Sequence, residues 1–315
     1  MADFIDKLEE KFRILNTKVA RFTKNREIIA ETKAISDLVR AQSLKLKNDA
    51  KKLPSKAVTD LHLSEIPQIF SLKRVDPSDN ELSPSEGEMV SLPRYLELVL
   101  ADYDLATGGS PPNEALLRSR IDVIMLSTLA KMKYESKANP RLSIGSALST
   151  DTIKSLHLQF ERSIKRPWKV KGERVLLSGV VDYFLWFGKP DDYETNLVMV
   201  EAKKPEFLKG GMLQCLAYMG MIHNARKMSK MYDTSVYGVA TDSFEWQFIH
   251  IRESGEFAIR SYHWDTSKSK IVSLLYMIFE TAAGSSAGSQ RKRWRQGSDI
   301  DFTTELEKRP KVSRG

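Results

Sequence analysis

Residues 180–218 read VVDYFLWFGKPDDYETNLVMVEAKKPEFLKGGMLQCLAY, and the fold turns on how this stretch is divided. Val180 to Phe187 is rich in β-branched and aromatic residues, which predicts a strand. Gly188-Lys-Pro-Asp-Asp192 carries the breakers of a turn. Asn196 to Lys203 predicts the next strand, and Phe207 to Gly211 leads into a helix from Met212 to about Lys230. The second strand ends in Glu201-Ala202-Lys203-Lys204, so a carboxylate and an ammonium two residues apart share one face of an otherwise apolar strand.

A hairpin turning near Asp192 sets position 182 opposite 201, 202 or 203. Pairing with Glu201 or Lys203 puts Asp182, Glu201 and Lys203 on one face; pairing with Ala202 puts Asp182 on the other. In the two favourable registers, Asp182 and Glu201 supply hard oxygen ligands for Mg²⁺ or Mn²⁺, with the Ala202 carbonyl as a further ligand. A metal there lowers the pKa of a bound water, and the Lys203 ammonium can orient that water or stabilise charge on a phosphate. The literal Pro190-Asp191 is rejected as a ligand, because it lies at the hairpin tip, roughly 30 Å along an extended strand from Glu201.

Working outward, Glu173 to Ser178 predicts a strand of its own, with Gly179 permitting a turn. Lys165-Arg166-Pro-Trp168-Lys169-Val-Lys171 is basic around a tryptophan; it is a solvated loop or, with Lys204, a nucleic-acid contact. Asn113 is an N-cap for a helix that opens at Glu114 and buries Leu117, Ile121, Ile124, Met125 and Leu129 on one face. Glu114 and Arg118 stand at i, i+4 on another face, the spacing of an ordinary surface ion pair. Downstream, Ser235 to Thr241, Phe244 to Arg252 and Phe257 to Trp264 predict strands, and Ser267 to about Thr281 a closing helix. Helix, strands, helix, strands is the order of an α/β fold whose mixed sheet carries helices on its faces.

Four segments follow. Residues 1–52 lack Pro and Gly and step Leu8, Phe12, Leu15, Val19, Phe22 at heptad spacing. They are read equally as an amphipathic helix docked on its own domain and as a helix for self-association. Residues 53–112 form a Pro-rich linker or extended wrap, with a short helix opened by Pro93. Residues 113–283 are the main α/β domain. Residues 284–315 are a disordered basic tail: AAGSSAGSQ is a flexible linker before Arg291-Lys-Arg-Trp-Arg295 and Lys308-Arg-Pro-Lys311. Two basic clusters with a polar spacer look like a bipartite nuclear-import signal, or a tail adding non-specific phosphate affinity.

The composition narrows the classes. With 315 residues and 41% hydrophobic content the chain can bury a sizeable core, and its net charge of +8 favours an anionic partner such as nucleic acid. One cysteine, Cys215, excludes an intrachain disulfide and, with five scattered histidines, a zinc-finger spacing. The N-terminus has no apolar signal-peptide core, and no run approaches the ~18 apolar residues of a membrane span, so no membrane association is expected.

Taken together, these residues resemble the PD-(D/E)XK nuclease superfamily, the restriction-endonuclease-like fold, over roughly Asn113 to Thr281. The resemblance rests on Asp182, Glu201-Ala202-Lys203, Gln214 with Tyr218 one turn later, and Glu114 on the preceding helix. It implies a Mg²⁺-dependent nuclease acting on DNA ahead of RNA. Asp182 and Glu201 would bind the metal, Lys203 would be the catalytic lysine, Gln214 would orient water or the substrate backbone, and Glu114 would be the accessory acid. Val181 stands where the motif has proline. The long N-terminal segment is similar to those of Crinkler-type effectors of fungi and oomycetes, which would imply delivery into a host cell. The alternative is a catalytically inactive nucleic-acid- or protein-binding module on the same fold.

Overall fold

The computed structural model describes residues 2–23, 26–108, 113–138, 153, 156–187, 196–202 and 205–298. The N-terminal segment is not one helix. Helix α1 (Ala2–Phe22) stops at Thr23 and α2 (Arg26–Lys51) follows. The two pack against each other. Phe12 and Val19 of α1 and Ile29 and Val39 of α2 are half-buried, whereas Leu15, Phe22, Ile28, Ile35 and Leu38 stay exposed. The stripe shifts after Phe22, so a straight helix could not present both halves to one partner surface.

The centre is an eight-stranded mixed sheet built from β1 (Ser55–Ala57), β2 (Lys73–Arg74), β3 (Leu156–Val170), β4 (Glu173–Phe187), β5 (Asn196–Ala202), β6 (Val236–Thr241), β7 (Glu245–Ile251) and β8 (Glu256–His263). Strands β3, β4 and β5 run antiparallel to their neighbours in turn; β6 lies parallel to β5, and β7 and β8 complete the sheet by hairpins. Short 3₁₀ turns and connectors aside, the helices beyond α1 and α2 are α5 (Glu114–Ala138), α6 (Leu208–Met228) and α7 (Trp264–Ser298), with α3 (Ile66–Ile69) and α4 (Leu96–Thr107) in the Pro-rich stretch. Helices α5 and α7 bury Ile121, Ile124, Met125, Ile271, Leu275 and Phe279 against Tyr183, Leu185, Val239, Trp246 and Phe248 on one face. Helix α6 buries Cys215, Leu216, Tyr218, Met219 and Ile222 against Val181, Phe184, Ile249 and Ile251 on the other.

Three expectations change. Residues 173–187 form one continuous strand rather than two, because the turn lies earlier, at Lys171 and Gly172 with φ +49° and +92°. Of the basic stretch 165–171, read as a solvated loop or a nucleic-acid contact, residues 165–170 belong to β3 and Lys171 to the turn. Of the two readings of the Pro-rich stretch, the extended wrap describes it and the linker does not: β1 pairs with β4 and β2 with β8, and Val58, Leu61, Ile66, Phe70 and Leu72 are buried beneath α6. Each such side chain contributes about 1.5–3 kcal/mol by leaving water, which offsets the ordering of a Pro-rich chain. Residues 55–100 therefore belong to the same folded body as the described residues of 113–283.

At the other end, α7 continues through the AAGSSAGSQ segment to Ser298, where a disordered tail was expected to begin at 284. Alanine and the Gln, Arg and Lys residues beyond it extend an existing helix at one hydrogen bond per residue. The cluster Arg291–Arg295 thus lies on α7, while Lys308–Lys311 lies outside the described residues. Among the described residues no helix is long and apolar enough to cross a membrane.

Candidate active site

The site is built on a defect in the β3–β4 hairpin. Pairs run regularly from Leu156–Phe187 to Phe160–Tyr183 and again from Arg162–Val181 to Val170–Glu173. Between them the same register would oppose Glu161 to Asp182, but Glu161 has φ +51° and the ladder is interrupted. The pleat slips there. Val181 and Phe184 lie on the α6 side, although Tyr183 and Leu185 lie on the α5 side, so the strand cannot alternate strictly through Asp182. Glu161 and Asp182 are both turned towards α5. Such irregularities re-aim side chains out of a regular sheet.

Arg118, one turn into α5, receives both of them. Its Nη2 donates to Asp182 Oδ1 at 2.5 Å and to Glu114 Oε1 at 3.1 Å, and its Nη1 donates to Glu161 Oε1 at 2.9 Å. The Asp182 side chain is 7% exposed, against 49% for Glu114 and 69% for Glu161. Partial burial disfavours the guanidinium charge, but the carboxylates of Asp182 and Glu114 outweigh it and raise the Arg118 pKa. Asn113 Oδ1 caps the start of α5 by accepting from Leu116 N at 2.9 Å. The Tyr183 hydroxyl donates to the Arg118 carbonyl at 3.2 Å, tying the helix to the strand beside Asp182. Burial pushes the Tyr183 phenol far above its ordinary value, so it stays a donor at all working pH.

On its other edge β4 changes partner. It pairs with β1 at Leu176 to Ser178 and with β5 from Tyr183 onward, where Tyr183 opposes Val200. Gly179 to Asp182 form a notch between the two partners, and one further step in the β5 register sets Asp182 opposite Glu201. The slipped pleat adds a condition that register alone does not contain. Glu201 pairs with Ala240 of β6. The Asp182 carboxylate faces α5.

The α6 side of the notch is closed by Tyr218, whose hydroxyl donates to the Val180 carbonyl at 3.2 Å and accepts from Gln214 Nε2 at 3.1 Å. A Cβ at Gly179 would overlap that hydroxyl, which is why glycine stands within a strand here rather than at a turn. Gln214 lies in the expected helix, beside the notch. Cys215 is fully buried. Lys203 and Lys204 lie outside the described residues, and so does Pro190-Asp191.

The donor chemistry fits a divalent cation: Asp182 offers a carboxylate that already holds a positive group, and position 201 and the Ala202 carbonyl follow across the notch. Among the described residues no three His, Cys, Asp or Glu side chains are grouped as a metal site. The basic stretch divides as well. Lys165 and Lys169 are exposed on β3, while Lys171 pairs with Glu65 at 3.0 Å and Arg166 is half-buried. Trp168 is taken up by the core, stacking obliquely on Phe70 at 4.8 Å and donating to the Ile69 carbonyl at 3.3 Å, so it is no base-stacking platform.

Arg118 and Glu161 are the site residues that sequence reasoning missed. Arg118 read as half of a surface pair with Glu114, and Glu161 carried no motif; only its cross-strand position opposite Asp182 could have singled it out. The chain matches no protein-family model and no curated protein.

Proposed function

We propose that this chain is a metal-dependent nuclease of the PD-(D/E)XK type, hydrolysing nucleic-acid phosphodiester bonds, DNA ahead of RNA. The observation that carries the reading is the divergence of β4 and β5 just past Tyr183–Val200, with Asp182 and Glu201 as the next residue on each strand. The element order supports it: helix α5, three antiparallel strands, helix α6, then β6 parallel to the third strand. Asp182, Glu201 and the Ala202 carbonyl would hold Mg²⁺ or Mn²⁺, which when bound supplies an activated water and neutralises charge on the phosphate. Lys203 stabilises the developing negative charge, and Gln214 orients substrate beside the notch. Lys165, Lys169 and the basic turns of α7 attract the phosphate backbone. The exposed apolar residues of α1 and α2 suit self-association, and the basic clusters suit nuclear delivery.

A second reading, an inactive nucleic-acid-binding module, is favoured by one observation: a guanidinium already neutralises Asp182. Purified wild type, Asp182→Ala and Lys203→Ala, each incubated with plasmid and with RNA in Mg²⁺, Mn²⁺ or EDTA, separate the two. Cleavage by wild type that needs the metal and falls on the order of 10²–10³-fold in each variant is expected. Equal activity in all three proteins, or activity in EDTA, overturns the nuclease reading.

A further inference from the structure

We propose that Arg118 is the resident counter-ion of Asp182, holding its carboxylate until a divalent cation takes the place, after which Glu114 and Glu161 retain the guanidinium. The inference rests on the nuclease reading and adds a positioning residue that no motif contains.

The geometry is that of a cation on loan. Three carboxylates surround one guanidinium, leaving two negative charges in excess, the charge of one divalent ion. Both Arg118 Nη atoms have an acceptor besides Asp182: Nη1 has Glu161 and Nη2 has Glu114. Surrendering Asp182 therefore strands neither Nη. Exposure grades the same way, from the deeply buried Asp182 through Arg118 to the open Glu114 and Glu161, so the guanidinium has an outward path along its own ion pairs. Glu161 sustains a left-handed backbone, φ +51°, that a non-glycine residue adopts only at a cost. An ordinary surface ion pair gives no reason for that conformation. A carboxylate aimed at Arg118 beside Asp182 does.

Direct titration of Mg²⁺ into the full chain tests this by calorimetry, so cleavage is not needed as a readout. Arg118→Gln removes the competing charge, and Mg²⁺ affinity should rise at least about tenfold. The double variant Glu114→Gln/Glu161→Gln, at two exposed positions, removes the acceptors that draw Arg118 away, and affinity should fall. Asp182→Asn should abolish the binding. Asp182-dependent binding that is unchanged or weaker in Arg118→Gln overturns the counter-ion role and leaves the nuclease reading standing. If Arg118→Gln fails to fold, unchanged affinity in the double variant overturns it instead. No binding by wild type, or equal binding by Asp182→Asn, overturns the nuclease reading and this inference with it.

Discussion

Hairpins β7–β8 and β3–β4 are made by the same rules and end differently. In β7–β8 every residue from Glu245–His263 to Ile251–Phe257 is paired without interruption. Trp246 and Phe248 pack towards α7 and Ile249 and Ile251 towards α6, so both faces are covered and any slip would exchange core for core. In β3–β4 the ladder breaks at Glu161 and Asp182, where two carboxylates take positions the pleat would not assign them. The first hairpin shows what apolar packing on both faces enforces. The second shows where the fold tolerates a conformational cost, and a buried carboxylate sits at that place.

The comparison can be broken by substitution, beginning with the largest effect. Trp246→Ala in the regular hairpin should cost about 3–5 kcal/mol, read as a lower midpoint in denaturant unfolding, because it empties a fully buried site. Asp182→Asn should cost only about 1–2 kcal/mol in the same measurement, since Arg118 keeps two other acceptors, while metal-dependent cleavage is lost. A larger stability loss at Asp182 than at Trp246 would make the defect a structural element and not a functional one. Gly179→Ala, at the notch, forces the Tyr218 hydroxyl away from Val180 and should destabilise by about 1–3 kcal/mol; an unchanged midpoint would mean that Tyr218 does not close the notch.

The smallest effect is a pH dependence in the regular half. Arg252, aided by His250, hydrogen-bonds Glu81 of the Pro-rich stretch and holds its carboxyl at about 2 against burial. A depressed carboxyl stabilises the fold fully above its ordinary value of 4.5, and the contribution is lost as pH falls from there towards about 2. Thermal unfolding of wild type should weaken through that window, and Glu81→Gln should flatten the slope; equal slopes would refute the clamp. Charge at this edge fastens the wrap to β7, whereas charge at Asp182 holds the Arg118 guanidinium of α5.

Much of the α/β domain was legible. Strands β5 to β8 and helices α5 and α6 follow from runs whose period matches the face they bury, and Asn113 announces the start of α5. The stretch from Leu156 to Val170 was not, because alternating basic and polar residues on a half-exposed strand carry no apolar period. Gly179 misled for a related reason. A glycine reads as a turn until the side chain that needs its space, Tyr218, arrives from 39 residues away. The Pro-rich wrap misled too, since Phe70 and Leu72 bury themselves beneath a helix far along the chain.

The sequence by itself determined the elements around 180–218, the candidate carboxylates Asp182 and Glu201, and the helix carrying Gln214, because periodicity and breakers are local. The tertiary structure alone decided that Asp182 lies one step past the β4–β5 pairing, that its carboxylate turns to α5, and that Arg118 and Glu161 meet it there. Those facts depend on a slipped pleat and on charges 21 and 64 residues from Asp182, brought together by packing on two faces of one sheet, which no local pattern encodes.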